Sequence, residues 1–260
     1  MRRKKKNRLW MLQTILCAVC MISAAILYRD FCIVPRQNRE QVQNLKTDFP
    51  ENIPLGEDSS PEIQEQAGKE PGVSGVDLRS LQSQYPDVRG WLTIPEIGID
   101  YPVLQSSLAD PEYYLRRDYR GNYDTNGSLF LQADCVLGES RNYIVYGHNM
   151  NSGAMFGNLE RYTSCDYWKA HPKVFFQTPE GTEEYQVAAV LKADVSMFDF
   201  QQISFQDQQE VEAYVNQAKA LALFETGVDS TGCETILTLV TCSYEWKQAR
   251  NIVVAIKIAE

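Results

Sequence analysis

An uncharged apolar segment near the N-terminus divides this chain into parts that must fold in different solvents. Residues 9–27 read LWMLQTILCAVCMISAAIL and contain no Asp, Glu, Lys or Arg. A helix rises about 1.5 Å per residue, so a helix of this length nearly matches the ~30 Å hydrocarbon thickness of a bilayer. The segment therefore predicts a transmembrane helix over residues 9–28.

The charges beside this segment predict its orientation. Residues 1–8 carry six Lys or Arg and no acid, whereas only Arg29 and Asp30 follow the apolar run directly. By the positive-inside rule, residues 1–8 form a cytoplasmic tail and the chain beyond residue 28 lies outside the cell. A cleaved signal peptide is the alternative, but its apolar region is usually only ~7–15 residues long. We therefore predict a single-pass protein of the cell membrane, anchored by residues 9–28.

The charge of the rest of the chain argues against a nucleic-acid partner. Of the 25 basic residues, six lie in residues 1–8, so the remainder carries 19 basic against 34 acidic residues. Such a surface offers no basic face to a phosphate backbone. The seven cysteines form no CxxC pair outside the apolar segment, and no DxDxD-type loop occurs. We therefore predict neither a metal site nor a cofactor.

Composition changes twice along the outer part. Residues 29–75 are rich in Pro, Gly, Gln, Glu and Asn, which bury too little apolar surface to offset the entropy of ordering, so we interpret them as an extracellular stalk. Residues 76–260 contain eight short apolar segments separated by turn residues, which predict a mainly β domain, either a barrel or a sandwich. The predicted strands are residues 91–94, 101–104, 128–131, 143–145, 174–177, 185–191, 235–240 and 252–256.

Two helices are predicted within this domain. One is short and precedes Pro86, and the other spans residues 207–224, where apolar residues recur at three- and four-residue spacing.

Only two histidines are available for proton transfer. His148 follows the apolar run 143–146 and Gly147 and enters a polar loop, a common location for functional side chains. His171 lies in a polar turn before Pro172, where a solvated or capping histidine is the better interpretation. For His148 the structural alternative is a hydrogen-bonded loop histidine.

Cys242 is the candidate nucleophile, because it ends a β-branched apolar strand. A thiol there needs a lowered pKa or a neighbouring base, which a histidine 94 residues upstream could supply only through the fold. A lone cysteine is more often a small buried hydrophobe, and Cys135, Cys165 and Cys233 compete for the role. Arg250 stands across an apparent hairpin and could donate to an oxyanion, or could simply pair with Glu245.

These residues carry a family resemblance. Residues 238–242 read TLVTC, residues 146–150 read YGHNM, and Arg250 follows at a short distance. Together they resemble the signature segments of sortases, class B in particular. Supporting segments are residues 90–95, 99–103, 110–115, 127–131 and 153–159, and the two predicted helices match additions found in class B members. The resemblance covers about residues 76–260.

The resemblance implies an extracellular, membrane-anchored cysteine transpeptidase of Gram-positive bacteria, built on an eight-stranded β-barrel. Cys242 would attack the Thr carbonyl of a C-terminal sorting motif in secreted proteins, and His148 would move protons for the leaving amine and for the incoming peptidoglycan amine. Arg250 would stabilise the oxyanion. The residues expected to line the peptide groove are Tyr146, Val240, Thr241 and Ser243.

Three questions stay open at this stage. A hydrolytic cysteine peptidase or amidase of the cell wall would use the same thiol and imidazole, with water as the acceptor. A membrane-tethered peptide-binding module would leave Cys242 inert. The remaining cysteines outside the membrane, Cys32, Cys135, Cys165 and Cys233, are either buried or paired with one another.

Overall fold

The computed structural model describes residues 2–51, 75–242 and 248–258, with the side chains of residues 2–9, 30, 35, 38 and 242 outside the description. The chain divides into two compact units, Met1–Gln41 and Val42–Glu260.

The first unit is helical. Helix α1 spans Arg2–Tyr28, a π-helical turn follows at Arg29–Ile33, and helix α2 begins at Val34 and ends at Asp48 in the second unit. Pro35 has no N–H to donate, which accounts for the irregular turn just before it. Residues Trp10–Ile33, which are mostly apolar and include Arg29 and Asp30 near their end, are by length and composition sufficient to cross a membrane.

The second unit begins with the C-terminal part of helix α2, which the composition of the predicted stalk did not indicate. The predicted stalk is helical at residues 34–48, and Leu45 in this helix is buried against Leu78, Leu81 and Trp91. Val42, Leu45 and Phe49 recur at three- and four-residue spacing, a local pattern that an average over residues 29–75 conceals. Residues 52–74 of the predicted stalk lie outside the described residues.

A closed eight-stranded barrel forms the body of the second unit and confirms all eight predicted strands. The strands are β1 Val88–Ile94, β2 Ile99–Leu104, β3 Leu129–Leu131, β4 Asn142–Tyr146, β5 Lys173–Thr178, β6 Gly181–Ala193, β7 Ile236–Cys242 and β8 Arg250–Lys257. Their order around the barrel is β1-β2-β3-β4-β7-β8-β6-β5. The pairs β2/β3 and β4/β7 are parallel, and the other neighbours are antiparallel.

Three helices lie around the barrel. Helix α3, Leu78–Gln84, precedes Pro86 as predicted, and helix α5, Gln208–Ala220, is the predicted insertion between β6 and β7. Each is capped by an aspartate side chain, Asp77 or Asp207, that accepts a backbone N–H in its first turn. Helix α4, Cys165–Ala170, was not predicted. Single 3₁₀ turns occur at Pro95–Ile97, Tyr113–Arg116 and Leu159–Thr163.

The central strands are covered on both faces. Successive side chains of a strand point to opposite faces of the sheet, yet residues Ile236–Thr241 of β7 are all buried. This explains why β7 reads as a continuous apolar run, which is typical of a strand with no solvent face. The ends of β4 and β7 and the start of β8 meet at one end of this buried sheet, where the predicted site residues lie.

Candidate active site

The strand pair β7/β8 brings two of the predicted site residues together. Its antiparallel register places Cys242 directly opposite Arg250 and Thr241 opposite Asn251. Directly opposed Cα atoms in such a pair lie about 4.5–5.5 Å apart. The predicted hairpin relation between Cys242 and Arg250 is therefore confirmed at the level of the backbone.

The strand pair β4/β7 brings the histidine segment to the same place. The two strands run parallel with Tyr146 beside Val240, and the Gly147 N–H donates to the Val240 carbonyl at 3.2 Å. Extending this register by two residues puts His148 level with Cys242. Neighbouring strands are about 4.8 Å apart, so the parallel pairing brings together two positions that are 94 residues apart in sequence.

Gly147 lets the chain pass close to the core just before His148. A Cβ atom at this position would lie 2.5 Å from Leu129 Cδ2 and 2.7 Å from Phe156 Cδ2. Any other residue would require the Leu129 and Phe156 side chains, or the backbone just before His148, to shift.

His148 is half-buried and has a defined partner. Its Nε2 lies 2.7 Å from the Leu115 carbonyl oxygen, in the 3₁₀ turn Tyr113–Arg116. Burial lowers the pKa of His148 from its ordinary value of 6.5, the hydrogen bond with Leu115 raises it, and the positive charge of Arg116 lowers it. The net result favours the neutral imidazole near neutral pH.

His171 has a different environment. Its Nδ1 lies 3.8 Å from a Glu96 carboxylate oxygen, and its ring packs against Tyr167 with centroids 4.7 Å apart. It follows helix α4 directly, and its N–H donates to the last carbonyls of that helix. These contacts are those of a structural residue at a helix end.

The Arg250 guanidinium is partly exposed, and its Nη1 donates to the Ala249 carbonyl at 3.1 Å. Within the described residues, no carboxylate forms an ion pair with Arg250, and the alternative partner Glu245 lies outside them. Most of the donor capacity of the guanidinium is therefore not used by the described part of the chain.

Tyr146 ends β4 and connects three segments beside the site. Its hydroxyl donates to Gln132 Oε1 at 2.7 Å and lies 3.4 Å from Gln201 Nε2, and its ring stacks on Phe130. Burial raises the pKa of Tyr146, and the hydrogen bond from Gln201 and the positive charge of Arg250 oppose this rise.

Two of the residues expected to line the groove are instead inside the protein. Val240 and Thr241 are 1% and 2% exposed, because β7 is covered on both faces, so their side chains offer no surface to a peptide in this structure. Ser243 lies outside the described residues. Of the four expected lining residues, Tyr146 is the one whose described side chain is partly accessible.

A buried polar pair next to the site was not predicted. Asn251 is 2% exposed and lies opposite Thr241, and neither the Asn251 amide nor Thr241 Oγ1 has a hydrogen-bond partner among the described residues. Leu115 was also missed as part of the site, since it acts through its backbone carbonyl, which carries no sequence signal.

Two of the three competing thiols, those of Cys135 and Cys233, are poor nucleophiles. Cys135 and Cys233 are buried, and burial raises the pKa of each to about 11. Cys165 is half-buried at the start of helix α4. All six cysteines whose side chains the structure describes are free, namely Cys17, Cys20, Cys32, Cys135, Cys165 and Cys233.

Known proteins share both this sequence and this barrel. A family model described as a sortase domain matches residues 92–258. Sortase B of Listeria monocytogenes is 33% identical over 170 residues, which cover 65% of this chain and 68% of that protein. Its solved structure aligns with a TM-score of 0.60 at 32% identity, over 70% of this chain and 99% of that one. A Staphylococcus aureus sortase B-substrate complex aligns with a TM-score of 0.63 at 26% identity, over 70% and 84% of the two chains.

The matched region contains His148, Cys242 and Arg250, and the aligned barrels have the architecture described above. The match also decides against a non-enzymatic binding module. The chain belongs to the sortase family and is a cysteine transpeptidase of the sortase B type.

Proposed function

We propose that this enzyme cleaves a C-terminal sorting motif of secreted proteins after Thr and transfers the acyl group to a peptidoglycan amine. The observation that carries the proposal is the register of three strands: Cys242 pairs with Arg250, and extending the β4/β7 register by two residues puts His148 beside Cys242. A thiol, an imidazole and a guanidinium at one strand end are the groups that acyl transfer through a thioester requires.

The first half of the reaction breaks the peptide bond. The Cys242 thiol transfers its proton to the neutral His148 imidazole, the resulting thiolate attacks the Thr carbonyl carbon, and a tetrahedral oxyanion forms. The intermediate collapses as the C–N bond breaks, and the leaving amine takes a proton from the His148 imidazolium. The products are a thioester on Cys242, a neutral His148 and a free C-terminal fragment.

The second half transfers the acyl group. The acceptor amine attacks the thioester carbonyl and loses a proton to His148, and the C–S bond breaks to return the Cys242 thiolate. The Arg250 guanidinium can donate two hydrogen bonds to the oxyanion in each half, because its donors are not committed to a described carboxylate.

The peptide groove in this proposal uses Tyr146 and the backbone around Cys242. Tyr146 is partly accessible, and the positive charge of Arg250 lowers the pKa of its hydroxyl. Because the Val240 and Thr241 side chains are buried, their contribution is confined to the backbone of β7. Ser243 follows Cys242 directly in the chain and is retained as a proposed groove residue.

We further propose that the enzyme acts on the outer face of the cell membrane. Sortases are membrane-associated, and the 24-residue, mostly apolar helical segment Trp10–Ile33 supports an anchor. The six cations of residues 1–8 support a cytoplasmic N-terminus. Secreted substrates and peptidoglycan amines are both found outside that membrane.

The test is product analysis with the full chain in detergent micelles. Peptides of the LPxTG-like and NPxTx-like types are incubated with and without an added amine such as triglycine, and the products are identified by mass spectrometry. We expect cleavage after Thr and, with the amine, a new amide product. Hydrolysis that an added amine leaves unchanged would instead show a hydrolytic peptidase.

A further inference from the structure

The His148 ring is held by a backbone carbonyl rather than by an acidic side chain. The contact is 2.7 Å between Nε2 and the Leu115 oxygen. A carbonyl oxygen only accepts hydrogen bonds, so at this distance Nε2 must carry the hydrogen. In a neutral imidazole, the other nitrogen, Nδ1, then holds the lone pair.

The segment before β3 lies against the Leu115 carbonyl and restricts its position. Gly127 has a φ of +61°, and a Cβ atom there would lie 2.4 Å from the Leu115 oxygen. The backbone therefore passes directly against this carbonyl, at a distance that only glycine permits.

Ser128, the residue after Gly127, donates hydrogen bonds to carbonyls on both sides of Leu115. The Ser128 N–H donates to the Tyr114 carbonyl at 3.0 Å, and Ser128 Oγ donates to the Arg117 carbonyl at 2.9 Å. The carbonyls one residue before and two residues after Leu115 are thus bonded to one residue of the adjacent segment. This arrangement leaves the Leu115 carbonyl little freedom to turn away from the imidazole.

We propose that the Leu115 carbonyl is a positioning group that holds His148 in the Nε2–H tautomer, so that Nδ1 exchanges the catalytic protons, and that Gly127 keeps this carbonyl in place. The catalytic role of Nδ1 rests on the proposed function. The tautomer and the role of Gly127 rest on the geometry alone.

The same hydrogen bond favours the imidazolium, because a charged donor binds a carbonyl more strongly than a neutral one. Its loss would lower the pKa of His148 further. Among the described residues, Arg116 is the charged residue that acts on this ring. The β4/β7 register, extended by two residues, puts the backbone of Cys242 beside His148, and Arg250 is the cross-strand partner of Cys242. Arg116 disfavours the imidazolium, so among the described side chains that act on this ring no charge replaces the lost hydrogen bond.

The test is ¹⁵N NMR of the full chain with labelled histidine in detergent micelles. The chain has only two histidines, and His171→Gln assigns the signals. We expect ring nitrogen shifts of the Nε2–H tautomer for His148 and an Nε2–H proton that exchanges slowly with water. An Nδ1–H tautomer in the wild-type protein would overturn the proposal, whatever the enzyme activity.

Gly127→Ala tests the support of the carbonyl, and Gly227→Ala is the matched control. Gly227 has a φ of +69°, nothing lies within 4 Å of its added Cβ, and it precedes β7 at the end away from Cys242. Both variants bear the strain of a left-handed alanine, but only Gly127→Ala presses on the Leu115 oxygen. If Gly127→Ala does not fold, Ser128→Ala removes the hydrogen bond to Arg117 and provides a milder variant.

We expect Gly127→Ala to lower the pKa of His148, to speed exchange of its Nε2–H proton and to reduce kcat about tenfold or more with a smaller change in KM. Gly227→Ala should match wild type in all of these. Identical His148 titration and exchange in the two variants would overturn the role of Gly127. Absence of peptide turnover with the expected NMR result would instead contradict the proposed function and leave the positioning intact.

Discussion

At the scale of single residues, the two histidines both lie in polar segments of the sequence but have different environments in the fold. His148 is bonded to a backbone carbonyl at a strand end, whereas His171 contacts Glu96 and Tyr167 beside helix α4. We expect His148→Ala to reduce peptide cleavage by several orders of magnitude and His171→Ala to have little effect. Steady-state kinetics on one peptide measures both, and equal losses would contradict the assignment of His148.

The lowered pKa of His148 predicts how stability responds to acid. The unfolded chain binds a proton on this residue near pH 6.5, whereas the folded protein binds it only at lower pH. Folding is therefore penalised as pH falls through and below 6.5. We expect the drop in Tm between pH 7 and pH 5 to be smaller in His148→Gln than in wild type. A drop of equal size in both proteins would show that the imidazole titrates alike in the folded and unfolded states.

Arg250 provides a test of transition-state stabilisation. Lys keeps the positive charge but not the two fixed donors of the guanidinium. Loss of one oxyanion donor typically costs ~2.7–4 kcal/mol, or roughly a hundredfold to a thousandfold in turnover. We expect Arg250→Lys and Arg250→Ala to lower kcat on this scale with less effect on KM. Near-wild-type turnover in the Lys variant, with unchanged Tm, would leave the oxyanion to backbone N–H groups.

At the scale of secondary-structure elements, the end of helix α2 is part of the folded domain. Leu45 is 3% exposed, and Lys46 pairs with Asp100 at 2.6 Å, where Asp100 also accepts from Trp91 Nε1. We expect Leu45→Ala to lower the free energy of unfolding by about 2–3 kcal/mol. The neighbouring Asn44 is exposed on the same helix, so Asn44→Ala should change it by less than about 0.5 kcal/mol. Urea unfolding followed by tryptophan fluorescence compares the two, and equal effects would mean that α2 does not support the barrel.

The sequence correctly predicted those elements whose own residues show a clear pattern of buried apolar side chains. All eight strands were found because their runs of apolar residues are interrupted by turn residues. The predicted end of α5 was wrong, because the Leu223 N–H leaves the helix to donate to the Val190 carbonyl of β6 at 2.8 Å. A competing partner from another strand has no signal in the helix itself.

The site was predictable only in part, because some of its features depend on contacts between segments that are distant in sequence. His148, Cys242 and Arg250 follow from residue type, position at strand ends and family resemblance. The burial of Val240 and Thr241 depends on what covers β7, and the Leu115 contact depends on a turn 33 residues away in sequence. Both are properties of the folded barrel rather than of the local segment.

At the scale of the whole molecule, the barrel brings together groups that the chain separates. The parallel pairing of β4 with β7 requires the long connection that contains β5, β6 and helix α5. A nucleophile on β7 and a proton carrier after β4 therefore meet only when the barrel has closed. We infer that partly folded forms lack activity even though Cys242 and Arg250 lie close in sequence.

The central claim is that Cys242 carries the acyl intermediate. The direct measurement is intact-protein mass spectrometry of the full chain incubated with a cleaved peptide, followed by mapping of the modified residue. We predict an added mass equal to the peptide up to its Thr, located on Cys242, retained in Cys233→Ala, lost in Cys242→Ala and discharged by an added amine. An adduct on another cysteine, or continued peptide cleavage by Cys242→Ala, would contradict the account.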